Sequence, residues 1–449
     1  MKLKQYPEYK EVKLPWINKL PLEWKVLRAK TIFKPINIRS KTGEEELLSV
    51  SEKKGVSLRK NINVTMFKAE SYKGYKLCWP GDLVINSLWA WMQGLGFSKY
   101  HGIISTAYGV YRLKNKYQFE YKYFDYLLRS SAYLWELRIR SKGIWKSRYQ
   151  LTDDAFMTMP IIIPSKSERR RIVRFLDFKC TRIAKFIRNK HRLIKLLKEQ
   201  KQVIINQAVT QGLNPDVKMK PSGIDWLGDI PEHWDVVPLR WYIFISSGEF
   251  RSTEQVSNYQ AENCRYPVIG GNGVMGYTNE YNSTEETIVL GRVGALCGNV
   301  HLIKECAWIT DNALRIRKIK QFFIDYLVEQ LRVMNLNILS NSSAQPLITG
   351  EIVKSQKVAL PPIEEQKTIL TSIGERTSNI DLAIEKAKRE IELIQEYRTS
   401  LVSDVVTGKL DVRNINADNV SDEEIINGSF INEETKDLNN SIKEVSNEH

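Results

Sequence analysis

Two stretches of the chain share one spacing of apolar positions. In the first, Leu176, Cys180, Ile183, Ile187, Lys190, Ile194, Leu197, Lys201, Ile204 and Ala208 follow one another at alternating steps of four and three. In the second, Ile373, Thr377, Ile380, Ile384, Ala387, Ile391, Ile394, Arg398, Leu401 and Val405 do the same. Eight of ten positions are apolar in each, which is the seam of a coiled coil. Pro164 followed by Ser165-x-x-Glu168 is a start signal, a capping box, and no Pro or Gly interrupts the run before Gly212. About 40 residues at ~1.5 Å each predict a rod of roughly 60 Å. A narrow apolar stripe on so long a helix needs a partner, and the other stretch is its only equal. The two are expected to form an antiparallel intramolecular pair, because the halves repeat head to tail with a globule between them.

Around these helices the whole chain is duplicated. Residues 160–213 align without a gap with 357–410. An opening motif, Pro15-Trp16-Ile17-Asn18-Lys19-Leu20-Pro21-Leu22-Glu23-Trp24-Lys25-Val26, returns as Asp225-Trp226-Leu227-Gly228-Asp229-Ile230-Pro231-Glu232-His233-Trp234-Asp235-Val236. Two coincident tryptophans are hard to obtain by chance. The intervening stretches, 27–158 and 237–356, read as short strands with Gly, Pro and Asn punctuation, each closing on a helical segment near 121–129 and 322–332. The fold class is therefore α+β: two mixed α/β domains separated by two long helices, with a pseudo-two-fold internal repeat. The expected boundaries are 1–159 for the first domain, 160–213 for the first helix and 214–230 for a linker with the repeated motif. The second domain takes 231–358, the second helix 359–413, and an acidic tail, expected to be disordered, 414–449.

Composition narrows the function classes. At 42% hydrophobic and 27% charged the chain reads as a soluble globular protein. No apolar run reaches the ~18–20 residues needed to cross a bilayer, and the N-terminus has no apolar signal core. Five cysteines, with no paired spacing, argue against a disulfide framework. Together these predict a cytoplasmic protein. The last 36 residues hold nine acids and two bases, so the rest carries 65 bases against 43 acids, a surface that attracts polyanions. From 166 to 201 there are fourteen bases and three acids, whereas 364–400 has six and eight. That run can face phosphate. The reading favoured here is a solvated face balanced by the partner helix.

Catalytic motifs are missing. The only Pro-Pro, at Pro361-Pro362, precedes Ile363 at a helix start, not the aromatic residue of an amino-methyltransferase loop, and no GxxxxGK[ST] loop occurs. Gly271-Asn272-Gly273-Val274-Met275-Gly276 fits GxGxxG, but the turn-rich 277–284 follows where a dinucleotide site requires a helix. Cys297, His301 and Cys306 lack the spacing and the fourth ligand of a zinc site. No metal or cofactor is expected in this chain.

Three runs in the second half, Tyr266-Pro267-Val268-Ile269-Gly270-Gly271-Asn272-Gly273, Gly291-Arg292-Val293-Gly294-Ala295-Leu296-Cys297-Gly298-Asn299-Val300 and Thr310-Asp311-Asn312-Ala313-Leu314, are similar to recognition domains of type I restriction–modification specificity subunits. So are Glu46-Leu47-Leu48-Ser49-Val50, Pro80-Gly81-Asp82-Leu83-Val84-Ile85-Asn86-Ser87 and Gly102-Ile103-Ile104-Ser105-Thr106-Ala107-Tyr108 in the first half. Pro361-Pro362-Ile363-Glu364-Glu365-Gln366 and Val406-Thr407-Gly408-Lys409-Leu410 bound the second helix in the same style. The first helix departs from this, opening on Pro164-Ser165-Lys166. The resemblance covers about residues 10–413. It implies a non-catalytic subunit with two target-recognition domains, each reading half of a split double-stranded DNA target, and helices that set the gap. It also implies two docked methylation subunits and, where present, restriction and translocation subunits. S-adenosylmethionine, ATP and Mg would reside on those partners, and no membrane is involved. Base readout needs Arg or Lys for guanine and Asn or Gln for adenine, on turns within the domains. The candidates are Asn86, Ser87, Trp89, Trp91, Lys99 and Tyr100 in the first half. In the second they are Arg251, Asn272, Tyr277, Arg292 and Asn299. The alternatives are a free-standing sequence-specific DNA-binding module, a coiled-coil scaffold, or an enzyme of another type.

Overall fold

The structure is a computed structural model that describes residues 4–61, 71–117, 120–143, 149–284, 286–294, 297–318, 321–340 and 346–415. Most of the acidic tail lies outside the described residues. Contacts divide the chain into two units. One holds the described residues up to Asn189 together with those from Glu390 onward, and the other is Lys190–Arg389.

The duplicated opening motif folds the same way twice. In the first unit the hairpin of Tyr9–Leu14 and Ile17–Pro21 ends in a turn where the Trp24 N–H donates to Pro21 O at 3.0 Å. In the second, Met219–Pro221 pairs with Asp229–Pro231 and the Trp234 N–H donates to Pro231 O at 3.0 Å. Both indoles are fully buried. The following strands, Lys25–Arg28 and Asp235–Pro238, pair antiparallel with Pro160–Ile163 and Lys357–Leu360, the strands that lead into the long helices.

Each unit is then built on a four-stranded antiparallel sheet. The first runs Phe33–Pro35, Tyr108–Leu113, Asp82–Asn86, Leu95–Phe97, and the second Ile243–Ser247, Ala313–Lys318, Thr287–Gly291, Val300–Ile303. Sequence order along both sheets is the same, which is the repeat expressed as topology. The strands Asp82–Asn86 and Thr287–Gly291 are buried on both faces because both faces are covered. Leu83 and Ile85 enter the large core of the first unit, with Phe33, Phe124 and Phe156. Val84 faces a smaller core with Leu48, Val50 and Val56. Likewise Ile288 and Leu290 enter the large core of the second unit, while Val289 joins Ile269, Ala307 and Ile309. The helices predicted near 121–129 and 322–332 are Tyr121–Leu128 and Ile324–Val333.

The long helices are Lys166–Gln211 and Ile363–Val406. In the first unit, Ile172, Phe175 and Leu176 share a core with Leu401, Val405 and Val406. In the second, Ile205, Ala208 and Val209 share one with Ile369 and Ile373, and the Lys201 ammonium meets Asp381 at 2.7 Å. The pairing residue falls along one helix as it rises along the other, so the helices run antiparallel. Leu176, Ile183, Ile373, Ile380, Ile384, Ile391 and Leu401 are buried, and Ile187, Ile194, Leu197, Ile204 and Ile394 are half-buried. At the helix start the Glu168 N–H donates to Ser165 Oγ at 3.3 Å, the first bond of the expected capping box. The Glu168 carboxylate accepts the Tyr6 hydroxyl at 2.7 Å, which ties the N-terminal segment to the helix.

Candidate nucleic-acid interface

In the second unit the glycines bring three chain segments to one end of the sheet. The turn after Tyr266–Gly270 lies against the end of Thr287–Gly291: a methyl group on Gly271 would stand 3.1 Å from Gly291 Cα and 3.4 Å from Asn312 O. A Cβ there would press on Gly291 more tightly than most side chains do, so glycine eases this close approach of backbones. Arg292 follows Gly291 and is held by its own backbone, donating to Asn312 O at 3.0 Å and accepting from the Ile348 N–H at 2.9 Å. Its Nη1 donates to Ser247 Oγ at 3.3 Å. The loop then returns to the sheet at Asn299, whose carbonyl accepts the Gly291 N–H at 2.9 Å. Asn272, Arg292 and Asn299 therefore gather at one strand end.

Their polar atoms are incompletely used. Among the described residues, Asn272 Oδ1, Arg292 Nε, Asn299 Nδ2 and Thr310 Oγ1 are buried without a hydrogen-bond partner. A buried group of this kind costs about 1–3 kcal/mol, and Arg251 Nε and Arg315 Nε in the same unit share this status. Arg251 sits elsewhere in the unit. Its guanidinium lies 4.3 Å over the Trp308 ring and donates to Glu280 at 2.6 Å and Asn279 at 2.8 Å. Tyr277 is half-buried on the strand Gly273–Thr278 and exchanges two backbone bonds with Ser257. That strand occupies the place where a dinucleotide site would need a helix. Cys297 is buried, its thiol held above its ordinary pKa by burial, and it donates to Arg292 O at 3.4 Å. No group of three or more His, Cys, Asp or Glu is placed to hold a metal among the described residues.

The first unit offers the matching strand end. Asn86, at the end of Asp82–Asn86, pairs across the sheet with Tyr108, just as Gly291 pairs with Ala313. Asn86 Nδ2 donates to the Tyr108 hydroxyl at 3.0 Å, and its Oδ1 is buried without a partner. Burial raises the Tyr108 phenol pKa despite that bond, so the hydroxyl keeps its proton. Ser87 Oγ donates to Ala107 O. The loop of 87–94 carries Trp89, 56% exposed and stacked on Trp91 at 6.2 Å between ring centroids. Lys99 is exposed and Tyr100 half-buried beyond the strand Leu95–Phe97. Sequence reasoning did not nominate Thr310, Asn312, Ser247 or Tyr108. The runs Thr310–Leu314 and Gly102–Tyr108 were the available signal, but only pairing across the sheet puts them beside Arg292 and Asn86.

These features define a class: duplicated α+β domains with loops at equivalent sheet ends, joined through long helices. Residues 242–393 match the family described as the type I restriction modification DNA specificity domain. The specificity subunit of the type I restriction enzyme EcoprrI from Escherichia coli is 34% identical over 120 residues, which is 27% of this chain and 30% of that protein. The MjaVIII specificity subunit of Methanocaldococcus jannaschii is 26% identical over 340 residues, 70% of this chain and 76% of that one. A solved chain described under complex assembly and conformational transition of the type I R-M system superposes with a TM-score of 0.62 at 15% identity, covering 88% of this chain and all of its own. By sequence the chain is similar to specificity subunits of type I restriction enzymes, and its fold is that of the solved type I R-M chain. No helix among the described residues is long and apolar enough to cross a membrane.

Proposed function

We propose that this chain is the sequence-reading subunit of a type I restriction–modification complex in the cytoplasm, with the chemistry of methylation and cleavage carried by its partners. The domains 1–159 and 231–358 each read one half of a bipartite double-stranded DNA target. The helical regions 160–213 and 359–413 set the gap between half-sites and, with the linker 214–230, receive two methylation subunits. All eleven nominated residues belong to this reading. Asn272, Arg292 and Asn299 act as base-edge readers in the second domain, and Asn86, Ser87 and Trp89 stand at the equivalent end of the first.

The observation that carries the reading is the set of unpartnered buried polar atoms on Asn272, Arg292, Asn299 and Thr310, all within one loop cluster. Guanine and adenine edges supply the donors and acceptors these atoms lack. The basic body and divergent loops at equivalent sheet ends support two different half-sites.

Methylome sequencing of the host with and without the gene tests this. Loss of one bipartite methylated motif on deletion is the expected result, and the motif then names both half-sites. An unchanged methylome with the gene expressed overturns it in favour of a free-standing DNA-binding module or a scaffold. DNA binding by the purified chain separates those two.

A further inference from the structure

The loop of 87–94 is more rigidly built than a connection between two strands requires. The Trp89 N–H donates to Asn86 O at 2.9 Å, and Trp89 O accepts the N–H groups of Met92 at 3.0 Å and Gly94 at 2.9 Å. Gln93 takes a left-handed backbone, φ 56°, uncommon outside glycine, and its side chain donates to Ser130 O at 2.9 Å. A Cβ on Gly94 would stand 2.9 Å from Trp89 O, so only glycine closes the turn. The Leu151 N–H anchors the loop from outside through Ser87 O at 2.9 Å.

This frame holds an indole outward. Trp91 is fixed by its Nε1–H to Leu88 O at 3.1 Å and by the edge of Tyr149 at 5.8 Å. Trp89 lies nearly parallel to it, 15° between planes, and remains 56% exposed. The equivalent loop of the second unit, 292–299, contains no aromatic residue and carries two of the unpartnered polar atoms, Arg292 Nε and Asn299 Nδ2.

Resting on the DNA-recognition reading, we propose that Trp89, backed by Trp91, is a stacking platform for one base of the half-site read by the first unit. That base is displaced from its neighbour and contacted through its π-face. The second unit reads its half-site by hydrogen bonds. A nucleobase is the occupant that fits. It is flat and aromatic, it arrives at the same sheet end as the polar readers of the second unit, and its unstacking lets a preformed ring take over the lost contact.

The test uses the complete complex with its methylation subunits and a duplex carrying its methylome-defined motif, with each base of that half-site replaced in turn by an abasic position. Stacking of one base predicts a roughly 5- to 150-fold loss of affinity for Trp89→Ala. Trp89→Phe should retain most of the affinity and Trp91→Ala should fall between. At one abasic position the wild-type complex should lose affinity while Trp89→Ala loses nothing further, the signature of a shared contact. Wild-type affinity in Trp89→Ala overturns the proposal, as does a full additional loss in that variant at every abasic position. Release of a methylation subunit from Trp89→Ala on size-exclusion chromatography overturns it too, by assigning the ring to a protein contact. A wild-type complex without preference for its own motif overturns the recognition reading itself.

Discussion

Arg292 follows Gly291, with both of its backbone polar groups bonded and its Nε buried without a partner among the described residues. A guanidinium anchored in this way is placed but not neutralised. Arg292→Ala is expected to cost about 1–3 kcal/mol of binding if it makes a bidentate guanine contact, and to relax the preference at one position of one half-site. Unchanged affinity and preference in a competition assay would remove Arg292 from the readers. Cys78 makes a different residue-scale prediction. Buried completely, its thiol is pushed up from 9.0 to about 11, mainly by desolvation. The thiolate is disfavoured in the native state, so this group's contribution to stability is full below about 9 and lost as pH rises toward about 11. At pH 8 iodoacetamide should label Cys264 well before Cys78, read by peptide mass spectrometry. Equal labelling rates would mean that the site opens readily.

At the scale of elements, each long helix ends on a glycine beside a buried tryptophan. Gly408 has φ 78° and a Cβ there would lie 2.6 Å from Pro21 Cδ and 3.2 Å from Trp24 Cη2. Gly212 has φ 74° and would place a Cβ 3.2 Å from Trp234 Cζ2. The opening motif of each half thus packs on the C-terminal end of a helix, which explains why Trp, Pro and the helix-ending Gly recur together. Gly408→Ala is expected to lose about 1–2 kcal/mol from the left-handed backbone alone and more from the Pro21 clash. Gly223→Ala, at φ 71° with nothing within 4 Å, should lose only the backbone term. Urea midpoints of the two variants compare them, and equal midpoints would deny the packing role. The coiled-coil seam was legible because its four–three spacing needs no knowledge of what lies around it. Pro160–Ile163 was not separable from the helix by pattern, since a short apolar run fits strand or helix until its partner Lys25–Arg28 is known.

For the whole molecule, the reading of the helices as a spacer makes a geometric prediction. Deleting one matched turn from both helices should change the preferred gap between half-sites while leaving each half-site sequence intact, as scored by methylome sequencing. An unchanged gap would assign the spacing to something other than the helices. The order of globule and helix, the duplication and the narrow seam were determined by the sequence alone, because periodicity and repetition are properties of the chain. The candidate loops were visible as turn-rich segments for the same reason. What only the tertiary structure decided is which polar groups lack partners. Arg251 and Arg292 look alike in sequence and each keeps a buried Nε without a described partner, yet one guanidinium is stacked on Trp308 and bonded to Glu280 and Asn279, while the other reaches Ser247 Oγ at 3.3 Å. That difference comes from residues more than twenty positions away, brought near by sheet pairing, and no local pattern carries it.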